Sequence, residues 1–243
     1  MIRWIAPRLF VASVLLCAAA HAQPLAVSGG LVDLRTPQGE QMLLESHALD
    51  AYVPLSVNFV TQRNQAFCGV ASIVVALNAM AIAAPSTPEY EPYHTFTQDN
   101  LLDERTEAVV PRQSIERRGM TLDQLGQLLA LNPVQAEVHH AADGTLDEFR
   151  ADARRTLGAG DQVVIVNYLR KTLGQVQGGH ISPLAAYDPQ ADSFLVLDVA
   201  RYKYPPVWVT ADRLFAAMNT QDSDNQDKSR GYVLVQKASA AAQ

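Results

Sequence analysis

The sequence predicts an α+β fold from three observations: helical patterns fill the first half, short apolar strands fill the second, and a turn joins two of those strands as an antiparallel hairpin. Residues 68–82 form an apolar helix with Val70, Ile73, Val74 and Leu77 at helical spacing. It is apolar on all sides, which predicts burial against the sheet. Pro85, Pro88 and Pro92 make the next segment a loop. Thr97-Gln98-Asp99-Asn100 can start a further helix. Thr121 with Gln124 reads as a capping box opening a helix through Leu131, and Thr145 to Leu157 reads as an amphipathic helix stopped by Gly158 and Gly160. Four strands follow: Val163 to Tyr168, His180 to Tyr187, Phe194 to Val199, and Gly231 to Gln236. Pro206 to Val209 extends the sheet. Asp188-Pro189-Gln190-Ala191-Asp192-Ser193 has turn chemistry and closes the hairpin. Asn219 to Arg230 reads as a mobile loop, and 237–243 as a frayed tail.

The chain has 243 residues and a net charge of −6. Its start carries Arg3 and Arg8, an apolar run from Leu9 to Ala20, and Ala20-His21-Ala22, the pattern of a secretion signal cleaved after Ala22. The run is short for a transmembrane helix. Leu16 before Cys17 argues against a lipid-modified cysteine. Residues 23–243 then form a single catalytic domain, exported and, in a Gram-negative cell, periplasmic. Without Arg3 and Arg8, 17 basic residues face 25 acidic ones, a net −8. That argues against nucleic acid or an anionic membrane surface as partner. Arg170, Lys171, Arg201, Lys203 and Arg230 nevertheless cluster late in the sequence, which suits a small anionic ligand or is ordinary solvated surface.

Loss of the signal removes Cys17 and leaves Cys68 as the lone thiol, unable to form an internal disulfide. Cys68 opens the buried helix, where free N–H groups favour a thiolate, and Gly69 beside it permits close approach of a substrate backbone. A small buried core residue is the other reading. Among the five histidines left, His180 follows Gly178-Gly179 and opens a strand, and the glycines leave room for a ligand. Asp198 sits at the far end of the hairpin's second strand. With an even pairing register, its side chain and that of His180 share a side. This is Cys–His–acid logic for thiol acyl transfer. The Cys68 N–H and a side-chain amide, Gln62 or its competitor Gln65, supply oxyanion donors.

Three blocks carry a family resemblance: Gln65-Ala66-Phe67-Cys68-Gly69-Val70-Ala71-Ser72, Gly179-His180-Ile181-Ser182-Pro183, and the run from Leu195-Val196-Leu197-Asp198 through Tyr202-Lys203-Tyr204-Pro205-Pro206-Val207-Trp208-Val209. They resemble phytochelatin synthase, most closely its short bacterial forms, over roughly Ala51 to Val235. The resemblance implies a papain-like fold with Cys68 as nucleophile, His180 as acid/base, Asp198 as orienting acid and Gln62 as the oxyanion glutamine. It implies glutathione or its S-conjugates as substrate, cut at the Cys–Gly bond, with Asn167, Gly179, Arg230 and Tyr232 at the γ-glutamyl end and Arg230 as a bidentate carboxylate clamp. It implies no cofactor and no metal site, with Cd²⁺ acting as a metal–glutathione complex. The cysteine-rich C-terminal region of plant and fungal members does not follow here, so hydrolysis is expected to exceed polymer synthesis. A homodimer stays open. The alternatives are a papain-like peptidase for another short peptide, a glutathione-binding protein with an inactive triad, and, weakest, a metal-storage protein.

Overall fold

The computed structural model describes residues 24–238 except 28, 47, 48 and 177. The expected secretion signal and the last five residues of the expected tail lie outside the described residues. In chain order the elements are β1 (Val32–Asp33), α1 (Pro37–Glu45), α2 (Tyr52–Val57), α3 (Cys68–Ala79), α4 (Glu104–Val109), α5 (Arg112–Arg118), α6 (Leu122–Ala130), β2 (Val134–His140), α7 (Leu146–Leu157), β3 (Gln162–Leu169), β4 (Gly179–Asp188), β5 (Ser193–Val196), β6 (Val207–Thr210), α8 (Ala211–Met218) and β7 (Gly231–Lys237). Helices and an antiparallel sheet make the α+β architecture that the sequence predicts.

Local chemistry explains several helix starts. Thr121 and Thr145 each form a reciprocal capping box, with Gln124 and Glu148 respectively. Thr36 caps α1, which has proline in its first turn. Thr97 does cap a helical turn, accepting from the N–H of Asp99 and Asn100, but that turn ends. The helix proper starts at Glu104, capped by Asp103. Cys68 through Leu77 of α3 is buried throughout, as an all-round apolar helix requires.

The seven strands run in the order β1-β6-β5-β4-β3-β7-β2, and every neighbouring pair is antiparallel. The last strand in sequence therefore lies inside the sheet, between β3 and β2, and Tyr232 to Val235 are buried. Gly126 of α6 lies against Val138 of β2, whereas Phe149 of α7 packs on Tyr232, the cross-strand partner of His139. Adjacent strand residues point to opposite faces, so α6 and α7 cover opposite sides of the sheet. α3 packs on β4.

The hairpin of β4 and β5 is irregular. Tyr187 pairs with Phe194 and Ala186 with Leu195, but beyond a bulge the register shifts, and Leu184 pairs with Val196. That one-residue shift gives Asp198 the same side as His180, the even register the sequence reading needed. β5 itself ends at Val196, shorter than expected, and Leu197 N–H donates to Pro183 O at 3.0 Å. The segment expected to be a mobile loop is internally bonded: Asp222 N–H donates to Lys228 O and Arg230 N–H to Thr220 O, both at 2.9 Å. The expected tail is ordered at its start, with Lys237 in β7 and Ala238 N–H donating to Pro133 O.

β7 approaches β2 too closely for a side chain at Gly231, where a Cβ would meet the His139 carbonyl oxygen at 1.9 Å. Gly231→Ala is expected to lower stability by about 1–3 kcal/mol through the forced backbone shift. Urea unfolding of the two proteins measures it, and an unchanged midpoint refutes it.

Candidate active site

Cys68 is the first residue of α3, so the unpaired N–H groups of the first helical turn surround its side chain. His180 is the second residue of β4, and Asp198 lies two residues beyond β5. The three converge. His180 Nε2 is 2.9 Å from Asp198 Oδ1 and 2.8 Å from Ser182 Oγ, while the ring also hydrogen-bonds Cys68. With Nε2 committed to Asp198 and Ser182, Nδ1 is the nitrogen that serves the thiol. Ser182 Oγ is itself held by the Val199 N–H at 3.2 Å.

Behind the triad lies a residue whose position the sequence reading assigned to a surface patch. Arg170 is 2% exposed, and its Nη2 sits 2.9 Å and 2.8 Å from the two oxygens of Asp198. Its Nη1 donates to Gln175 Oε1 at 2.7 Å, and the guanidinium lies 5.0 Å from the centre of the Tyr204 ring. Arg170 therefore does not join a cationic surface. Arg201 stacks separately on Phe59, and of the five expected cations Arg230 alone lines the cleft described below.

These contacts set the protonation states. Burial pushes the Asp198 carboxyl up, but the charges of His180 and Arg170 and the Ala200 N–H outweigh it and hold it at about 2. Burial works against a charged His180, yet the Asp198 charge and hydrogen bond raise its pKa above the ordinary imidazole value. Burial likewise pushes the Cys68 thiol up, but His180, the Ile181 N–H and the Arg170 charge bring it below its ordinary value. Both shifts favour a thiolate–imidazolium pair.

A cleft of about 160 Å³ opens over Cys68 and His180, and Asn167, Gly179, Arg118, Asp222, Asp224 and Arg230 are among its walls. Asn167 is 2% exposed, and its carboxamide has no partner among the described residues. Three details depart from expectation. The room beside Gly69 is filled by Met120, whose sulfur would lie 2.5 Å from a Cβ there, whereas the glycines before His180 do leave room: Gly178 is open, and at Gly179 the Arg230 guanidinium sits 3.4 Å from a Cβ position, in ordinary contact. Arg230 is not a free fork: Nη1 binds Thr220 Oγ1 and the Gln221 carbonyl, Nη2 lies 3.3 Å from Asp222, and Nε alone is unpartnered. Tyr232 does not reach the cleft. It is one residue on from Gly231, the cross-strand neighbour of Asn167, and so points to the α7 side, where its hydroxyl donates to Asp152 at 3.0 Å and its ring stacks on His139. Strand alternation already separates Tyr232 from Asn167 once the pairing is known. Asp222 and Asp224 were missed because nothing local marks an aspartate in a polar loop as facing a cleft. Gln62 is buried, with its backbone N–H on the carbonyl of Val199, the neighbour of Asp198, and is not among the cleft walls, whereas Gln65 lines the cleft. Among the described residues no cluster of three or more His, Cys, Asp or Glu is placed to hold a metal ion.

A family model described as phytochelatin synthase matches residues 22–232. The chain belongs to the phytochelatin synthase family. Curated relatives include glutathione gamma-glutamylcysteinyltransferase 1 of Lotus japonicus, 34% identical over 85% of this chain and 40% of the relative. The protein of the same name from Triticum aestivum is 33% identical over 86% of this chain and 41% of its own length. Glutathione gamma-glutamylcysteinyltransferase of Schizosaccharomyces pombe is 29% identical over 79% of this chain and 45% of its own. The chain thus spans less than half the length of these family members.

Two predictions follow from the buried charges. Because His180 depresses the Cys68 thiol, alkylation of Cys68 by iodoacetamide is expected to rise with pH below the ordinary thiol range. Asp198→Asn weakens the imidazolium that depresses the thiol, so the alkylation curve should move to higher pH. A curve that stays in place refutes the coupling. Arg170→Met leaves Asp198 with one cation fewer in a buried site, and is expected to cost about 3–5 kcal/mol in denaturant unfolding.

Proposed function

We propose that the chain is a papain-like thiol acyltransferase acting on glutathione at its Cys–Gly amide. The observation that carries this reading is the alignment of a depressed thiol at a helix N-terminus, a raised imidazole and a buried carboxylate. The Cys68 thiolate attacks the amide carbonyl carbon, and the carbonyl oxygen becomes the oxyanion of a tetrahedral intermediate. The Cys68 N–H and the Gln62 side chain are the proposed donors to it. His180 Nδ1–H protonates the departing nitrogen, so glycine leaves and a γ-Glu-Cys thioester remains on Cys68. The neutral His180 then takes a proton from water, or from the α-amino group of a second glutathione as that nitrogen attacks the thioester. Water gives γ-Glu-Cys and restores the thiolate. Attack by the α-amino group of a second glutathione forms the new amide, breaks the thioester, restores the thiolate and gives the longer γ-glutamyl peptide. Hydrolysis is the proposed main course, since water needs no second peptide site.

Asn167, the Gly179 backbone and Arg230 Nε are the proposed contacts of the γ-glutamyl end. Arg230 offers the substrate one N–H in place of a two-pronged clamp, because its other nitrogens hold the loop. Asp222 and Asp224 bring negative charge to the same cleft, which suits the α-ammonium of that group. Metal enters this scheme as a metal–glutathione complex on the substrate side. Export, with cleavage after Ala22, is part of the proposal and rests on the composition of residues 1–22.

The test is mass spectrometry of the protein incubated with glutathione, with and without Cd²⁺, beside Cys68→Ala. Equal amounts of glycine and γ-Glu-Cys are expected from the parent protein, and Cys68→Ala is expected to lower glycine release by at least about 10³-fold. Glycine release that survives in Cys68→Ala refutes the mechanism. Longer γ-glutamyl peptides in excess of γ-Glu-Cys refute the dominance of hydrolysis alone.

A further inference from the structure

Gln62 is 4% exposed, and both N–H groups of its carboxamide are engaged. Nε2 donates to the Asn64 carbonyl oxygen at 2.7 Å and to the Tyr202 hydroxyl oxygen at 3.0 Å. Its Oε1 is buried with no partner among the described residues. Reversing the amide gives no relief, because it would set Oε1 against the Asn64 carbonyl, and both are acceptors. The Asn64 carbonyl is part of a fixed turn: it also accepts from the Phe67 N–H at 3.3 Å, and the Asn64 side chain accepts from the Ala66 N–H at 2.9 Å. One N–H of Gln62 therefore anchors the carboxamide to the turn that leads into Cys68. The other is the one a developing oxyanion can use, and a phenol oxygen already holds it.

Tyr202 is placed to give that bond up. It lies between Asp198 and β6, and its side chain is half exposed, unlike the buried Gln62. Burial of its hydroxyl raises its pKa, and the nearby Asp198 and Cys68 charges add to this against the Gln62 bond, so the phenol stays neutral. A neutral phenol oxygen is a weaker acceptor than an oxyanion. Building on the proposed oxyanion role of Gln62, we infer that Tyr202 is a positioning residue that holds the free Gln62 N–H at rest and yields it to the oxyanion during acylation. The substrate carbonyl in its ground state is a neutral acceptor and does not displace the phenol. Tyr202 therefore acts on the acylation rate and leaves substrate affinity alone.

The experiment is single-turnover release of glycine from glutathione by the parent protein, Tyr202→Phe, Gln62→Ala and the double variant. Phenylalanine keeps the ring, and an unchanged thermal midpoint confirms the fold. Tyr202→Phe is expected to speed acylation about two- to tenfold, the worth of one neutral hydrogen bond, with KM unchanged. Gln62→Ala is expected to slow it about 10²–10³-fold. In the Gln62→Ala background, Tyr202→Phe should have no effect. Slower or unchanged acylation in Tyr202→Phe overturns the inference, as does the same acceleration without Gln62. If Gln62→Ala is slow while Tyr202→Phe is flat, the inference falls and the oxyanion role of Gln62 stands. If Gln62→Ala acylates at the parent rate, both fall.

Discussion

The buried carboxylate of Asp198 is the constraint on which the rest of the site depends. It has no exposed surface and is held ionised, and a charge so placed costs several kcal/mol unless the protein supplies its partners. Arg170 follows β3, His180 begins β4, and the Ala200 N–H follows Asp198 itself. Satisfying one carboxylate thus draws three stretches of backbone to one point. The same arrangement tunes the chemistry, because the charge that Asp198 lends to His180 is what lets His180 depress the Cys68 thiol. Removing either cation would disturb both stability and reactivity, so structure and function are coupled through a single group.

The cleft wall is built on a similar economy. Its far side is the segment from Asn219 to Arg230, tied down by charge and by backbone bonds. His140 bridges it to α6: Nδ1 faces the Ser229 carbonyl at 2.6 Å and Nε2 faces Asp123 at 2.7 Å, while Lys228 joins Asp123 from the loop. Arg230 spends most of its donors on the same segment. Residues that look like ligand-binding groups by type therefore do structural work first, and what remains for a ligand is a small set of atoms: Arg230 Nε and the Asn167 carboxamide, beside cleft carboxylates that already face Arg230 and Arg118.

How much of this could be read from the chain depended on the range of the interaction. Capping boxes at Thr121 and Thr145 are complete within four residues, and both helices were found at their starts. The apolar runs of α3, β3 and β4 declared their burial by composition. β2 escaped notice although Val134, Ala136 and Val138 alternate with polar residues after the turn residues Asn132-Pro133, because Ala136 and Glu137 are poor strand formers and His139-His140 end the alternation. α1 and α2 are short helices without a strong apolar stripe of their own, held by packing on β4, whereas α8 has such a stripe in Ala211, Leu214, Ala217 and Met218 but is only 8 residues long. The 97–101 turn shows the converse: its cap chemistry was read correctly, but the helical path ends at Leu101 and Asp103 caps the helix that follows.

By itself the sequence determined the α+β class, the thiol of Cys68 at a helix start, and the candidacy of His180, Asp198 and Gln62, because residue type and local spacing carry those signals. Only the tertiary structure decided which side each strand residue faces. A bulge between Leu184 and Ala186 moves the register by one and brings Asp198 to His180, whereas Tyr232, shortly after the cleft residue Arg230 in sequence, turns away to Asp152. The tertiary structure also decided that Arg170 is a buried counter-ion and that Tyr202 holds a donor of Gln62. The physical reason is common to all four: strand side chains have a period of two, and charge pairing acts through space. A single residue of register, or a partner 140 positions away, is invisible in local pattern and decisive in the folded chain.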